Sequence, residues 1–292
     1  MKDAPFSLAR SEVAIVGLGL MGGSLALALR SANACRAIVG VDTDPAALEA
    51  ALGRGLIDRA APFDTAHDCD LLILATPVRT ILAHLEALAE AKFYPPRQTV
   101  VLDLGSTKVQ ITRAMTNLPP RFEPVGGHPM CGKERGGLAE AEAALYRDKL
   151  FVLTPPGYIS VRALALAYEL VAAIGAHPVM LPAERHDALA ALVSHLPYTV
   201  AVALMRAALS QNDPQVWQLA AAGFRDTSRL AASDLAMMTD IVLTTRAPLL
   251  EALGTYQREL AALTAAVESG DAATIRAALA PAQAKRAELF KG

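Results

Sequence analysis

The chain has 292 residues, enough for about two domains, and its 27 basic and 29 acidic side chains nearly cancel. It carries no basic stripe of the kind that marks a nucleic-acid partner, and no uninterrupted apolar run reaches the roughly 20 residues of a membrane span. Cys35, Cys69 and Cys131 are far apart and odd in number, which argues against a disulfide framework. Residues 1–6 lack an apolar signal core, so the expected location is the cytoplasm, with reduced thiols.

In chain order, residues 13–16 are apolar, three of them β-branched, and read as a buried strand. Gly17-x-Gly19-x-x-Gly22 follows at once, and residues 24–30 read as helix, which is the context a dinucleotide-binding fingerprint requires. Gly17 allows a sharp turn, Gly19 lets the backbone approach a pyrophosphate, and Gly22 lets the helix pack closely on the strand. Leu20 and Met21 lie between them at the helix start, where unpaired N–H groups and the dipole favour phosphate. A second strand, residues 37–41, ends in Asp42, twenty residues past Gly22. A carboxylate there accepts hydrogen bonds from a ribose diol and repels a 2′-phosphate, so the predicted cofactor is NAD rather than NADP.

A helix is expected at 45–52, a short strand around Ile57, and a buried strand at 70–75 that stops at Thr76-Pro77. Helices at 80–91 and 109–118 flank a strand at 99–103, and short apolar runs follow at 122–125, 150–153 and 178–181. This alternation predicts an α/β, Rossmann-type domain with a mostly parallel sheet and helices on both faces. Ligands bind beyond the carboxyl ends of such strands, so Thr76, Ser106 and His128 are expected to face one crevice. After Pro182 the pattern is helical throughout: 184–209 with a break at Pro197, then 214–222, 234–253 and 260–289. The expected division is residues 1–182 and an all-α part, 183–292, whose apolar face is buried either within the chain or in a partner subunit.

Four further segments carry chemistry. In Asp103-Leu-Gly-Ser-Thr-Lys108, Ser106 is either a hydroxyl in the crevice or a helix cap. Gly126-Gly-His-Pro-Met-Cys-Gly-Lys-Glu134 reads as a glycine-flanked loop holding His128, either a surface side chain or the base that an alcohol oxidation needs. Cys131 reads as a passive thiol, and Lys133 and Glu134 as loop charges. In Ser194-His-Leu-Pro197 the proline disturbs a helix, leaving His195 either in a cleft or satisfied by a local partner. Arg225 and Arg229, four apart, either form a carboxylate clamp or a surface pair bridged by Asp226.

Taken together, the glycine turn, these segments and the order in which they occur resemble the prephenate/arogenate dehydrogenase family of tyrosine biosynthesis over nearly the whole chain. The resemblance implies a dinucleotide-binding domain followed by a helical domain that forms a homodimer. It also implies NAD-dependent oxidative decarboxylation of a small dicarboxylate, prephenate to 4-hydroxyphenylpyruvate or, alternatively, arogenate to tyrosine. By resemblance, His128 takes the proton of the ring hydroxyl and Ser106 hydrogen-bonds that hydroxyl. His195 and Arg229 bind substrate, Arg225 takes a neighbouring basic position, and Glu134 an acidic one at the entrance. No metal is expected. A 3-hydroxyacid dehydrogenase is disfavoured because the early second part offers His186 and His195 but no lysine; a non-catalytic NAD-binding module would have no need of His128. No added regulatory module follows the helical part, so any tyrosine inhibition is expected at the active site.

Overall fold

The computed structural model describes residues 7–91, 97–133 and 135–290. Its strands are β1 (Glu12–Val16), β2 (Ala37–Val41), β3 (Arg59–Ala60), β4 (Leu71–Leu74), β5 (Thr99–Asp103), β6 (Phe122–Pro129), β7 (Leu150–Thr154) and β8 (His177–Met180). They form one sheet in the order β3-β2-β1-β4-β5-β6-β7-β8. Every pairing is parallel except β6 with β7. The connections hold α1 (Leu20–Ser31), α2 (Pro45–Gly53), α3 (Phe63–Ala66), α4 (Val78–Glu90), α5 (Val109–Met115) and α6 (Val161–Ala173).

The two-residue period of a strand divides the core between the faces of the sheet. Val13 and Ile15 of β1 pack with α1 and α6, whereas Ala14 and Val16 pack with α4 and α5. Both faces are therefore covered, and β1, β4 and β5 read as continuous apolar runs for that reason.

The segment around His128 differs from the expectation of a loop. Phe122 to Val125 lie parallel to β5, after which the same strand continues antiparallel to β7, with His128 opposite Val152. The two glycines before the histidine serve close sheet packing rather than loop freedom. A Cβ on Gly126 would stand 2.9 Å from the Thr154 carbonyl oxygen, and one on Gly127 2.5 Å from that of Asp103.

From Ala183 on, the described residues are helical or in turns. α7 (Ala183–Ala190) runs through a π-turn (Ala191–His195) into α8 (Leu196–Leu209). Pro197 explains the wide turn, since it has no N–H to donate to the preceding turn. α9 (Gln215–Leu219), α10 (Ala222–Ser228) and α11 (Leu235–Thr244) follow. The expected helix over 234–253 is broken at Thr245, which leaves the helical region of backbone space (φ −118°, ψ 28°). By contacts the chain forms two compact units, one through Thr245 and one from Arg246. The second unit is a pair of helices packed on each other, α12 (Arg246–Glu268) and α13 (Ala272–Leu289), separated by Gly270 at φ +63°.

One helix bears on the expectation about apolar runs, although Ser194, His195 and Thr199 interrupt its apolar residues. The continuous helix Ala183–Leu209 is long and apolar enough, by length and composition alone, to cross a membrane, and 22% of its most apolar window is buried. Its buried polar residues are nonetheless engaged with the rest of the first unit. The Asp187 carboxylate accepts backbone N–H groups of α5, and His195 meets Thr245. Apolar residues outweigh these few polar ones in any composition test.

The glycine turn yields a stability prediction. A Cβ on Gly22 would lie 1.9 Å from the Gly17 carbonyl oxygen, whereas a Cβ on Gly19 meets nothing within 4 Å. Gly22→Ala should lower the unfolding free energy by about 2 kcal/mol or more, and Gly19→Ala by less than about 1 kcal/mol. Urea unfolding of both variants checks this; equal midpoints would contradict it.

Candidate active site

The first half of the site is built around the start of α1. Gly17 turns at φ +92°, where its N–H donates to the Val41 carbonyl at 2.8 Å. A side chain there would strike Thr76 Cγ2 at 2.8 Å. Gly19 caps α1 with open space beside it, Leu20 and Met21 begin the helix, and Gly22 presses against the turn itself. Met21 is tied down by the buried Tyr146, whose hydroxyl donates to the Met21 carbonyl at 2.6 Å. The Asp42 carboxylate accepts the Leu18 N–H at 2.7 Å and the Asp44 N–H at 2.9 Å. It thereby joins the end of β2 to the glycine turn. Thr76 Oγ1 is a buried hydroxyl without a partner among the described residues. Open space at Gly19, an unsatisfied hydroxyl at Thr76 and a helix N-terminus together suit a dinucleotide phosphate. All seven residues expected at the cofactor thus surround one turn.

The second half rests on buried charge. Asp103 and Lys108 are both 0% exposed. Lys108 Nζ donates to Asp103 and, at 2.5 Å, to the Gly127 carbonyl. The Asp103 carboxylate also accepts N–H groups of Gly105 at 2.8 Å and Gly127 at 3.0 Å. Burial lowers the Lys108 ammonium's pKa, while Asp103 and Asp187 oppose the shift. This pair fixes β6 one residue before His128. His128 Nδ1 lies 2.7 Å from His186 Nε2, and His186 Nδ1 lies 2.8 Å from Asp187 Oδ1. The same Asp187 carboxylate accepts the Lys108 N–H at 2.7 Å and the Val109 N–H at 2.9 Å, capping α5 from another helix. Ser106 is therefore not the cap; it stands half-buried in the β5–α5 turn. Its neighbour Thr107 has its Oγ1 2.9 Å from Thr244 Oγ1 of α11.

Burial, with His186, Lys108 and His195 nearby, holds the pKa of His128 well below the ordinary imidazole value. An uncharged imidazole at neutral pH is what a proton acceptor requires. His195, at the junction of the π-turn and α8, is buried with its Nδ1 3.1 Å from Thr245 Oγ1. Burial pushes its pKa down to about 4, with Asp187 opposing and His186 adding to the shift. The structure thus gathers His128, His186, Asp187, Lys108 and His195. Sequence reasoning missed the roles of Asp103, Lys108 and Asp187 and met His186 only in passing; the adjacent His186-Asp187 pair was the available signal.

The arginines are placed differently. Arg225 is exposed near the end of α10 and pairs with Asp226 at 3.3 Å. Arg229 caps α10 and begins the 3-10 turn that follows it, its backbone still helical (φ −49°, ψ −43°). That turn packs on α8, the helix that starts at His195. Glu134 lies outside the described residues. Burial raises the Cys131 thiol to about 11, which fits a passive role. Lys133 bonds the Glu140 carbonyl at 2.9 Å. Among the described residues, no group of three His, Cys, Asp or Glu side chains is arranged to hold a metal.

Residues 25–180 match the family model described as prephenate dehydrogenase, nucleotide-binding domain, and residues 182–281 the model described as prephenate dehydrogenase, dimerization domain. Prephenate dehydrogenase of Bacillus subtilis (strain 168) is 34% identical over 268 residues, 90% of this chain and 72% of the relative. The crystal structure of prephenate dehydrogenase from A. aeolicus, in complex with hydroxyphenyl propionate and NAD+, is similar at 30% identity and a TM-score of 0.89. That match covers 97% of this chain and all of the other. Synechocystis arogenate dehydrogenase is similar at 28% identity and a TM-score of 0.80, over 96% of this chain and 100% of that one.

The buried imidazole at 195 makes stability depend on pH. Its folded pKa, about 4, lies below the ordinary 6.5, so between these values the unfolded chain binds more protons. Stability is therefore full above about 6.5 and declines as pH falls toward about 4. The difference in unfolding free energy between about pH 7 and about pH 5 should shrink in His195→Gln. A variant with an unchanged difference would contradict the assignment.

Proposed function

The chain belongs to the prephenate dehydrogenase family and is an oxidoreductase; from that premise we propose that it converts prephenate to 4-hydroxyphenylpyruvate with NAD and loss of carbon dioxide. The observation that carries this reading is a half-buried His128 in a strand of the dinucleotide-type sheet, held by a buried polar network, with burial keeping its pKa low. NAD, when bound, supplies the hydride acceptor. Gly17, Gly19, Leu20, Met21 and Gly22 would cradle its pyrophosphate, Thr76 would offer its unpartnered hydroxyl, and Asp42 would take the ribose diol.

In this reading His128 accepts the ring hydroxyl proton as the carbon beneath it is oxidised, and Ser106 hydrogen-bonds the same oxygen and orients it. Loss of the ring carboxylate as carbon dioxide then leaves an aromatic product, which makes the reaction effectively irreversible. His195 and Arg229 hold substrate, with a guanidinium fork suited to a carboxylate. Arg225 is the outlying basic group, reaching substrate only by giving up Asp226, and Glu134 keeps the acidic role that the family resemblance implies. Arogenate is the second reading, favoured by the likeness to the Synechocystis enzyme. Functionally we divide the chain at Pro182 into a cofactor part, 1–182, and a substrate and dimer part, 183–292. The expected state is a homodimer in the cytoplasm, its free cysteines suiting a reducing compartment. The Ala183–Leu209 helix leaves Leu192, Val193 and Leu209 exposed, and these apolar side chains support a subunit contact along it.

His128→Asn should lower turnover by about a thousandfold while NAD affinity stays within about twofold. Steady-state assays should offer both substrates and both NAD and NADP. Retained turnover in His128→Asn would remove the base assignment, a large NADP preference would overturn the reading of Asp42, and turnover of arogenate alone would move the substrate. Sedimentation of the wild-type protein should give twice the chain mass; a monomer at assay concentration would remove the dimer.

A further inference from the structure

His128 is a competent base only if its substrate-facing nitrogen carries a lone pair, and neither composition nor motif decides which ring nitrogen holds the proton. The hydrogen-bond chain behind it does. Carboxylate oxygens only accept, so the 2.8 Å contact of Asp187 Oδ1 requires the proton on His186 Nδ1. In a neutral His186 this leaves Nε2 as a bare acceptor. The 2.7 Å contact between His186 Nε2 and His128 Nδ1 then requires the proton on His128 Nδ1. Asp187 cannot readily turn away, because it also accepts the Lys108 and Val109 N–H groups. His186 and Asp187 are each 1% exposed, so water does not compete for these bonds.

We propose that Asp187 and His186 are positioning residues that lock His128 in the Nδ1–H tautomer and so present Nε2 as the base. This rests on the reading of His128 as the proton acceptor. When Nε2 takes the hydroxyl proton, the imidazolium keeps its Nδ1–H bond to His186, whose own Nδ1–H points to the Asp187 carboxylate. The new charge is thereby drawn toward an anion in a site that already holds the Lys108 ammonium.

The other charged and titratable groups facing His128 are Lys108 at the start of α5, neutralised by Asp103 of β5, and His195 at the start of α8. None of them is bonded to Nδ1. A single proton on the His128–His186 pair, on either ring, removes the lone pair at His128 Nε2: a protonated His186 donates to Nδ1 and moves the His128 proton to Nε2.

The test is nitrogen-15 NMR of the full protein with labelled histidine at neutral pH, the His128 signals being those lost in His128→Asn. A protonated Nδ1 and bare Nε2 support the proposal, and a protonated Nε2 overturns it, with no variant at position 186 needing to fold. In kinetics, His186→Leu should lower kcat about 100-fold with KM within about threefold. His186→Gln, whose amide oxygen can accept the Nδ1–H, should restore most of the loss. An inactive His128→Asn beside a fully active His186→Leu overturns the positioning pair alone; an active His128→Asn removes the base and the pair together.

Discussion

The carboxylate of Asp103 is the constraint on which the arrangement depends. It is fully buried at the end of β5, where an ionised group without partners costs several kcal/mol. Its two oxygens are satisfied from three directions, by the Gly105 N–H, the Gly127 N–H and the Lys108 ammonium. Each donor comes from a different piece of chain: the turn, the next strand and the helix start. Neutralising one charge therefore brings three backbone segments into register, and His128 follows from the position of Gly127.

Asp187 extends the same logic to the helical half of the chain. It satisfies the start of α5 from α7, in place of a capping side chain within the α5 segment itself. The sheet and the helices after Pro182 are joined here through backbone donors that would otherwise be orphaned. The first unit extends to Thr245 for this reason, aided by the Thr107–Thr244 contact. Histidines from both sides of this joint thus lie within a few ångströms of each other.

Much of this was legible in the chain. The three glycines and Asp42 have local reasons to be where they are: Gly17 and Gly22 sit where a Cβ would clash, and Asp42 ties the end of β2 to the glycine turn. Strand–helix alternation, and the loss of strands after residue 180, depend on periodicities that a linear reading detects. Other features depend on distant partners. His186 lies 58 positions from His128, and Asp187 79 from Lys108, so neither contact leaves a trace in spacing. The extension of β6 through Pro129 was hidden because Gly126 and Gly127 look like loop residues until β7 and Asp103 press against them.

The lightly covered Ala183–Leu209 helix has a consequence for handling the protein. The homodimer proposed above, with its contact on this helix, would draw on apolar burial, whose driving force weakens on cooling. Chilling and dilution then act together on the assembly, and the Asp187 joint lies on the same helix as the contact. For such a molecule, storage temperature and protein concentration become variables of the active site rather than of the buffer.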